Sequence, residues 1–146
     1  MPRNPNCVRC ALHASASWVC VWADGPPHAD LLLVSEAPGA EEDANGKPFQ
    51  GAAGGKLNAA LRVVGLRRED VLIDNVAKCR PPGNRTPTKD EVAACQSYLI
   101  EVIATARPKA ILALGGAALA ALAGPSNVGR SRGVKLPAKP QFRTSA

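Results

Sequence analysis

Three short apolar runs, each followed by a stretch of helical character, constrain this chain more than any other feature. Asp30–Ser35 (DLLLVS), Val71–Val76 (VLIDNV) and Ala110–Leu114 (AILAL) are five or six residues long, the length of buried strands rather than helices. After the first comes a turn at Glu36-Ala37-Pro38-Gly39 and a glycine-rich loop at Gly51–Gly55. Leu57, Ala60, Leu61 and Val64 then recur at i, i+3, i+4 and i+7, one face of a helix, with Gly65 placed as its C-cap. After the second run, a proline-rich loop (Pro81–Pro87) leads to Thr88 and Glu91, spaced as a capping box. Val92, Cys95, Leu99, Val102, Ile103 and Ala106 share one face of the helix it opens, which should stop at Arg107-Pro108. After the third run, Gly116–Ala123 reads as a short alanine helix. This alternation predicts an α/β fold with a parallel sheet and right-handed crossovers. A length of 146 residues suits one domain, 1–146, in which 125–146 is a basic, irregular tail. Ligands of such sheets sit at the carboxyl ends of the strands, so Glu36–Gly55 and Asn75–Pro87 form the candidate site.

Cysteine and charge narrow the chemistry. The five cysteines are Cys7, Cys10, Cys20, Cys79 and Cys95. An odd count behind an N-terminus with no apolar signal region argues against a disulfide framework and for an intracellular protein. The C-x-x-C at Cys7 and Cys10 lets two thiolates face one metal. Cys79 and Cys95 could close a four-thiolate set suited to zinc or to an iron–sulfur cluster, and spacing does not choose between them. The net charge is +6, and after Glu101 seven basic residues follow with no acidic one. That asymmetry suits a polyanion such as nucleic acid, or else a solubilising tail. No membrane span is expected, because the longest small-apolar run, Ala110–Gly124, is broken by glycines and falls short of about 20 residues.

Within the candidate site, several residues have two readings. Glu36, Glu41, Glu42 and Asp43 cluster near a strand end, where one carboxylate could position water or all could be solvated. Phe49 is either a core plug or an aromatic face for stacking a base. Asn75 either forms a turn or presents donor and acceptor to the edge of a planar base. Gly51–Gly55 either cradles a phosphate at a helix N-terminus or makes a tight turn. It lacks the Gly-Lys-Ser/Thr ending of a P-loop.

Taken together, SEAPGAEEDANGKPFQG (Ser35–Gly51), AGGKLNAAL (Ala53–Leu61), DNVAKCRPPGNRTP (Asp74–Pro87) and RPKAILALG (Arg107–Gly115), with the four spaced cysteines, resemble the iron–sulfur, family 4 uracil-DNA glycosylases. The resemblance covers about residues 7–124. It implies a three-layer α/β/α fold with a short parallel sheet and a monomer acting on uracil-containing DNA in base excision repair. By resemblance, Cys7, Cys10, Cys79 and Cys95 would hold a structural [4Fe–4S] cluster, with Cys20 spare. Glu36 would position the water that attacks the deoxyribose C1′, with Glu42 supporting catalysis. Ala37, Asp43, Phe49 and Asn75 would form the uracil site, Phe49 by stacking and Asn75 by reading the Watson–Crick edge. Arg80, Asn84 and Arg85 would lie near the DNA.

Two departures from the family pattern stand out. The family carries a His-Pro segment at the end of a fourth strand, whose histidine donates to uracil O2, and no histidine follows His28 here. The expected consequences are a missing fourth strand, an exposed apolar edge at AILAL and impaired turnover. They would follow from a truncated product, from a basic tail standing in for the lost loop, or from a non-catalytic DNA- or uracil-binding module of the same fold. Ser35 also stands where the family usually has glycine. A four-cysteine zinc protein unconnected with uracil is a further reading.

Overall fold

The computed structural model describes residues 3–125 and 127–144. Ser126, Ser145 and Ala146 of the expected tail, and Met1 and Pro2, lie outside the described residues. In chain order the elements are α1 (Leu12–Ser15), β1 (Leu31–Ser35), α2 (Ala40–Asn45), α3 (Ala52–Val63), β2 (Leu72–Asn75), α4 (Lys89–Ala106), β3 (Ala110–Ala113), α5 (Gly116–Ala123) and α6 (Val128–Ser131). Short 3₁₀ turns lie at Arg68–Asp70, Pro82–Asn84 and Pro140–Phe142.

The three strands pair in parallel in the order β2-β1-β3. Leu32 lies opposite Leu72 and Ser35 opposite Asn75 in one pairing, and Leu31 lies opposite Ala110 in the other. Strand side chains alternate between faces, and the core divides accordingly. Leu32, Val34 and Leu72 pack with Leu99, Val102 and Ile103 of α4 and with Leu122 of α5. Leu33, Val71 and Ile73 pack with Leu57 and Leu61 of α3 on the other side. The result is an α/β/α sandwich around a parallel sheet of three strands among the described residues.

The two sheet edges are treated differently. Along β2, the N-terminal segment folds back as an antiparallel bridge between Asp24 and Ile73, with both N–H···O bonds at 2.9 Å. Gly25 permits this approach, because a Cβ there would fall 2.2 Å from the Val71 carbonyl oxygen and its φ is +133°. Along β3, the only pairing among the described residues is with β1, and Leu112 is 49% exposed. The apolar edge expected from the sequence is therefore present.

Local signals account for most element boundaries. Thr88 Oγ1 accepts from the Glu91 amide and Glu91 Oε2 accepts from the Thr88 amide, closing the expected capping box. α4 ends where Arg107 turns left-handed ahead of Pro108. α3 begins earlier than its apolar period suggested, since the glycine-rich Ala52–Gly55 forms its first turn rather than a loop. Gly51 is the N-cap of this helix, so Gly51–Gly55 sits at a helix N-terminus. α2 is too short and polar for a periodic signal. The tail is less irregular than expected. It forms α6, and Phe142 buries itself against α4 and α5.

Arg85 forms a two-pronged pair with Glu91, both contacts 2.8 Å. That guanidinium, aided by the Thr88 amide, lowers the Glu91 carboxyl from the usual range to about 2. A depressed folded-state pKa stabilises the fold above the unfolded value and loses that contribution as pH falls through the folded one. Unfolding free energy measured against pH should therefore drop between about pH 4.5 and about pH 2. Glu91→Gln should flatten that part of the curve.

Candidate functional site

The parallel register sets the carboxyl ends of β1 and β2 side by side, and the pairing continues beyond them. The Val76 amide donates to Ser35 O at 2.9 Å and the Ala77 amide to Glu36 O at 3.0 Å. Above this double strand end lies a cavity of about 320 Å³, lined among others by Ser35, Ala37, Glu42, Phe49, Gly51 and Asn75. That volume lies within the range of small-molecule sites, roughly 300–1,000 Å³. A larger cavity of about 380 Å³ lies between α4, α5 and Phe142; Val76, Thr86, Lys89, Gln96 and Lys139 are in its lining, and none of the sequence candidates is.

Three segments thus deliver the sequence candidates Ala37, Glu42, Phe49 and Asn75 to one place. Asn75 is buried at the end of β2. Glu36 is half-buried, its backbone locked to Ala77, and it does not line the cavity. Glu42 lines the cavity, but both carboxylate oxygens are engaged. Oε2 accepts from the Gly39 amide at 3.0 Å and Oε1 from the Gln50 amide at 3.2 Å. It clamps the start of α2 to the loop that carries Phe49, which makes it a positioning group.

Asp43 does not belong to this cavity. Its buried carboxylate accepts from the Ser17 and Trp18 amides at 3.1 and 3.0 Å, so it pins the N-terminal segment onto α2. The proposed DNA contacts are also partly committed. Arg80 Nε donates to Asn84 Oδ1 at 2.8 Å, and Arg85 is held by Glu91. Arg85 is therefore a structural strut of the Pro82–Asn84 turn rather than a free cation.

The structure adds Arg68, which sequence reasoning passed over because RRED reads as a charged surface turn. Its guanidinium donates to the carbonyls of Pro48 and Phe49. Burial lowers its pKa, partly offset by Asp24 at 3.9 Å. Phe49 needs this clamp, since its φ is +53°, a conformation unfavourable for an aromatic residue. Gly54 closes the other side, where a Cβ would meet Phe49 O at 2.0 Å.

The cysteines gather beneath the site. Cys7, Cys79 and Cys95 are buried, Cys10 is half-buried, and all are free thiols. Burial first, and then neighbouring cysteines, Cys10 among them, push Cys79 and Cys95 up to about 11. The Cys20 amide donates to Cys79 Sγ at 3.4 Å, the Lys78 amide hydrogen-bonds Cys95, and Tyr98 contacts Cys7. Among the described residues, no three His, Cys, Asp or Glu side chains converge as ligands of a single metal ion would. The donor set, four sulfurs from three chain segments, suits a soft, thiolate-bound centre. No helix among the described residues is long and apolar enough to cross a membrane.

The sequence matches the uracil DNA glycosylase superfamily over residues 22–142, a span containing the whole sheet and its cavity. The chain belongs to that superfamily. It is 50% identical over 110 residues to a type-4 uracil-DNA glycosylase of Pyrobaculum aerophilum, covering 75% of this chain and 56% of the relative. A type-4 uracil-DNA glycosylase of Thermotoga maritima is 48% identical over 117 residues, covering 80% and 60%. A type-5 uracil-DNA glycosylase of Pyrobaculum aerophilum is more distant, at 34% identity. The chain spans a little over half the length of these two type-4 relatives. As a member of the superfamily, it bears its cavity at the strand ends where an α/β sheet binds ligands.

Arg68→Met keeps the aliphatic stem but frees both carbonyls. Loss of charged hydrogen bonds of this kind is worth about 1.5–3 kcal/mol each. The expected result is a fall in unfolding free energy of about 1.5–3 kcal/mol, measured by urea unfolding. Gly54→Ala should destabilise the fold by about 1–3 kcal/mol through overpacking, read by urea unfolding.

Proposed function

We propose that this chain is a monofunctional uracil-DNA glycosylase, which hydrolyses the N-glycosidic bond of uracil in DNA and leaves an abasic site. The observation that carries this reading is the convergence of Ala37, Phe49 and Asn75 on one base-sized cavity at the ends of β1 and β2. A glycosylase must take its base out of the stack before it can reach the bond. Phe49 offers a stacking face to the extruded ring. The Asn75 amide pairs with uracil O4 and N3–H, whereas cytosine presents an amine at C4 and no N3 proton. The Ala37 amide contacts the base. Bond cleavage leaves cationic character on the sugar and negative charge on the departing uracil. Glu36 acts there by orienting the attacking water and supporting the sugar cation, while Glu42 holds the loop in place.

In this reading Cys7, Cys10, Cys79 and Cys95 hold a [4Fe–4S] cluster. When bound, the cluster supplies a covalent tie between the N-terminal segment, the loop after β2 and α4. Arg80 and the basic residues beyond Gly124 face the phosphates, and residues 1–146 act as one intracellular, monomeric domain. Five free thiols accord with a reducing compartment.

A second reading, a DNA- or uracil-binding module without turnover, is favoured by one observation. Glu36, the residue assigned to the water, does not line the cavity that Ala37, Phe49 and Asn75 share.

The deciding measurement is uracil release from a single-stranded, uracil-containing oligonucleotide by anaerobically purified protein. Release is expected, and Glu36→Ala should reduce it about 10²–10⁴-fold with the visible cluster absorbance unchanged. Equal release by the variant would remove Glu36 from the mechanism. No release from folded, brown protein that still binds the oligonucleotide would establish the binding-module reading.

A further inference from the structure

Lys78 is the largest side chain in the interior that is essentially inaccessible, at 1% exposure. It lies between the cavity and the cysteines. Its ammonium donates to Asp74 Oδ1 and, at 2.9 Å, to the backbone carbonyl of Asn75. The same ammonium stands 5.6 Å from the centre of the Trp22 ring, within cation–π range. Asp74 Oδ1 in turn accepts from the Asn75 amide at 2.8 Å. Asn75 is therefore gripped on both of its peptide groups by one buried ion pair.

The other end of Lys78 reaches the cysteines. Its amide hydrogen-bonds Cys95, its carbonyl accepts from the Val21 amide at 2.8 Å, and Cys79 follows it directly. Stability alone is a weak reason for this arrangement. A buried ion pair often contributes no more than well-packed apolar residues of similar volume. Asp74 Oδ2 is also left without a partner among the described residues. What the pair does provide is a fixed orientation for the Asn75–Val76 peptide, and so for the amide group of Asn75 above it.

We propose that Lys78 is a positioning residue for base recognition, a strut that transmits the rigidity of the four-cysteine centre to Asn75 through the Asn75 carbonyl. The proposal rests on the uracil reading of Asn75 for its functional consequence, but not for its structural one. Removing Lys78 alone would leave the Asp74 carboxylate buried and uncompensated, and the chain could simply fail to fold. The informative variant is Asp74→Asn combined with Lys78→Met. It stays neutral and keeps volume, and the carboxamide oxygen introduced at position 74 can still accept from the Asn75 amide. The tether to the Asn75 carbonyl is lost, together with the ion pair itself and the ammonium's contact with the Trp22 ring.

Three quantities are compared between the parent chain and this double variant: visible cluster absorbance, amide hydrogen exchange at Val76, and affinity for free uracil. The expected result is unchanged absorbance, exchange at Val76 raised about tenfold or more, and uracil affinity lowered about 10–100-fold, the range for loss of a supporting contact behind a ligand-bearing group. Unchanged exchange together with unchanged affinity in the folded variant would overturn the proposal. Lost cluster absorbance with unchanged Val76 exchange would overturn it as well, assigning Lys78 to the cysteine centre alone. If the parent chain binds no uracil while Val76 exchange still rises in the variant, the strut stands and the uracil reading fails.

Discussion

The parallel pairing of β1 with β2 is the constraint on which the site depends. Its register places Ser35 opposite Asn75, and the ladder runs on through Val76 to Ser35 and Ala77 to Glu36. A parallel sheet leaves its carboxyl ends on one side, where the loops carrying polar groups must emerge. A slip of one residue would turn Asn75 to the opposite face of the sheet. Leu32 and Leu33, buried in opposite core layers, resist that slip.

Around this strand end, charged side chains serve mainly as clamps on the backbone. Glu42 joins α2 to the Phe49 loop, Asp43 joins α2 to the N-terminal segment, Arg68 holds the Pro48 and Phe49 carbonyls, and Lys78 with Asp74 grips Asn75. Each takes up backbone groups that a loop near the interior cannot leave unpaired. The small, apolar or amide side chains Ala37, Phe49 and Asn75 are then left to meet a ligand. Preorganisation of this kind lowers the cost of ordering the site on binding.

The N-terminal segment has a double role. Asp24 covers the outer edge of β2, while Cys7 and Cys10 approach Cys79 and Cys95. The same stretch therefore closes a sheet edge and completes a sulfur-rich interior. On the far side β3 offers an open edge with Leu112 exposed. The fold is thus finished on the side that bears the cavity and less covered on the other.

Much of this was written in the sequence in local terms. The three apolar runs, the Thr88–Glu91 capping box and the Arg107-Pro108 stop depend on neighbours a few residues away, so their elements could be placed from the chain alone. The family resemblance of the segments around Glu36 and Asn75 likewise pointed to residues that line the cavity, Ala37, Glu42, Phe49 and Asn75. Long-range partners decided the rest. Asp43 turned to Ser17 and Trp18, Arg85 to Glu91 across a turn, Arg68 to a loop twenty residues earlier, and Lys78 inward to Asp74 and Asn75. A charged residue in a sequence carries no mark of whether it will be solvated or buried. That outcome is set by which unpaired carbonyls and amides the folded chain brings within reach, and only the tertiary structure fixes them.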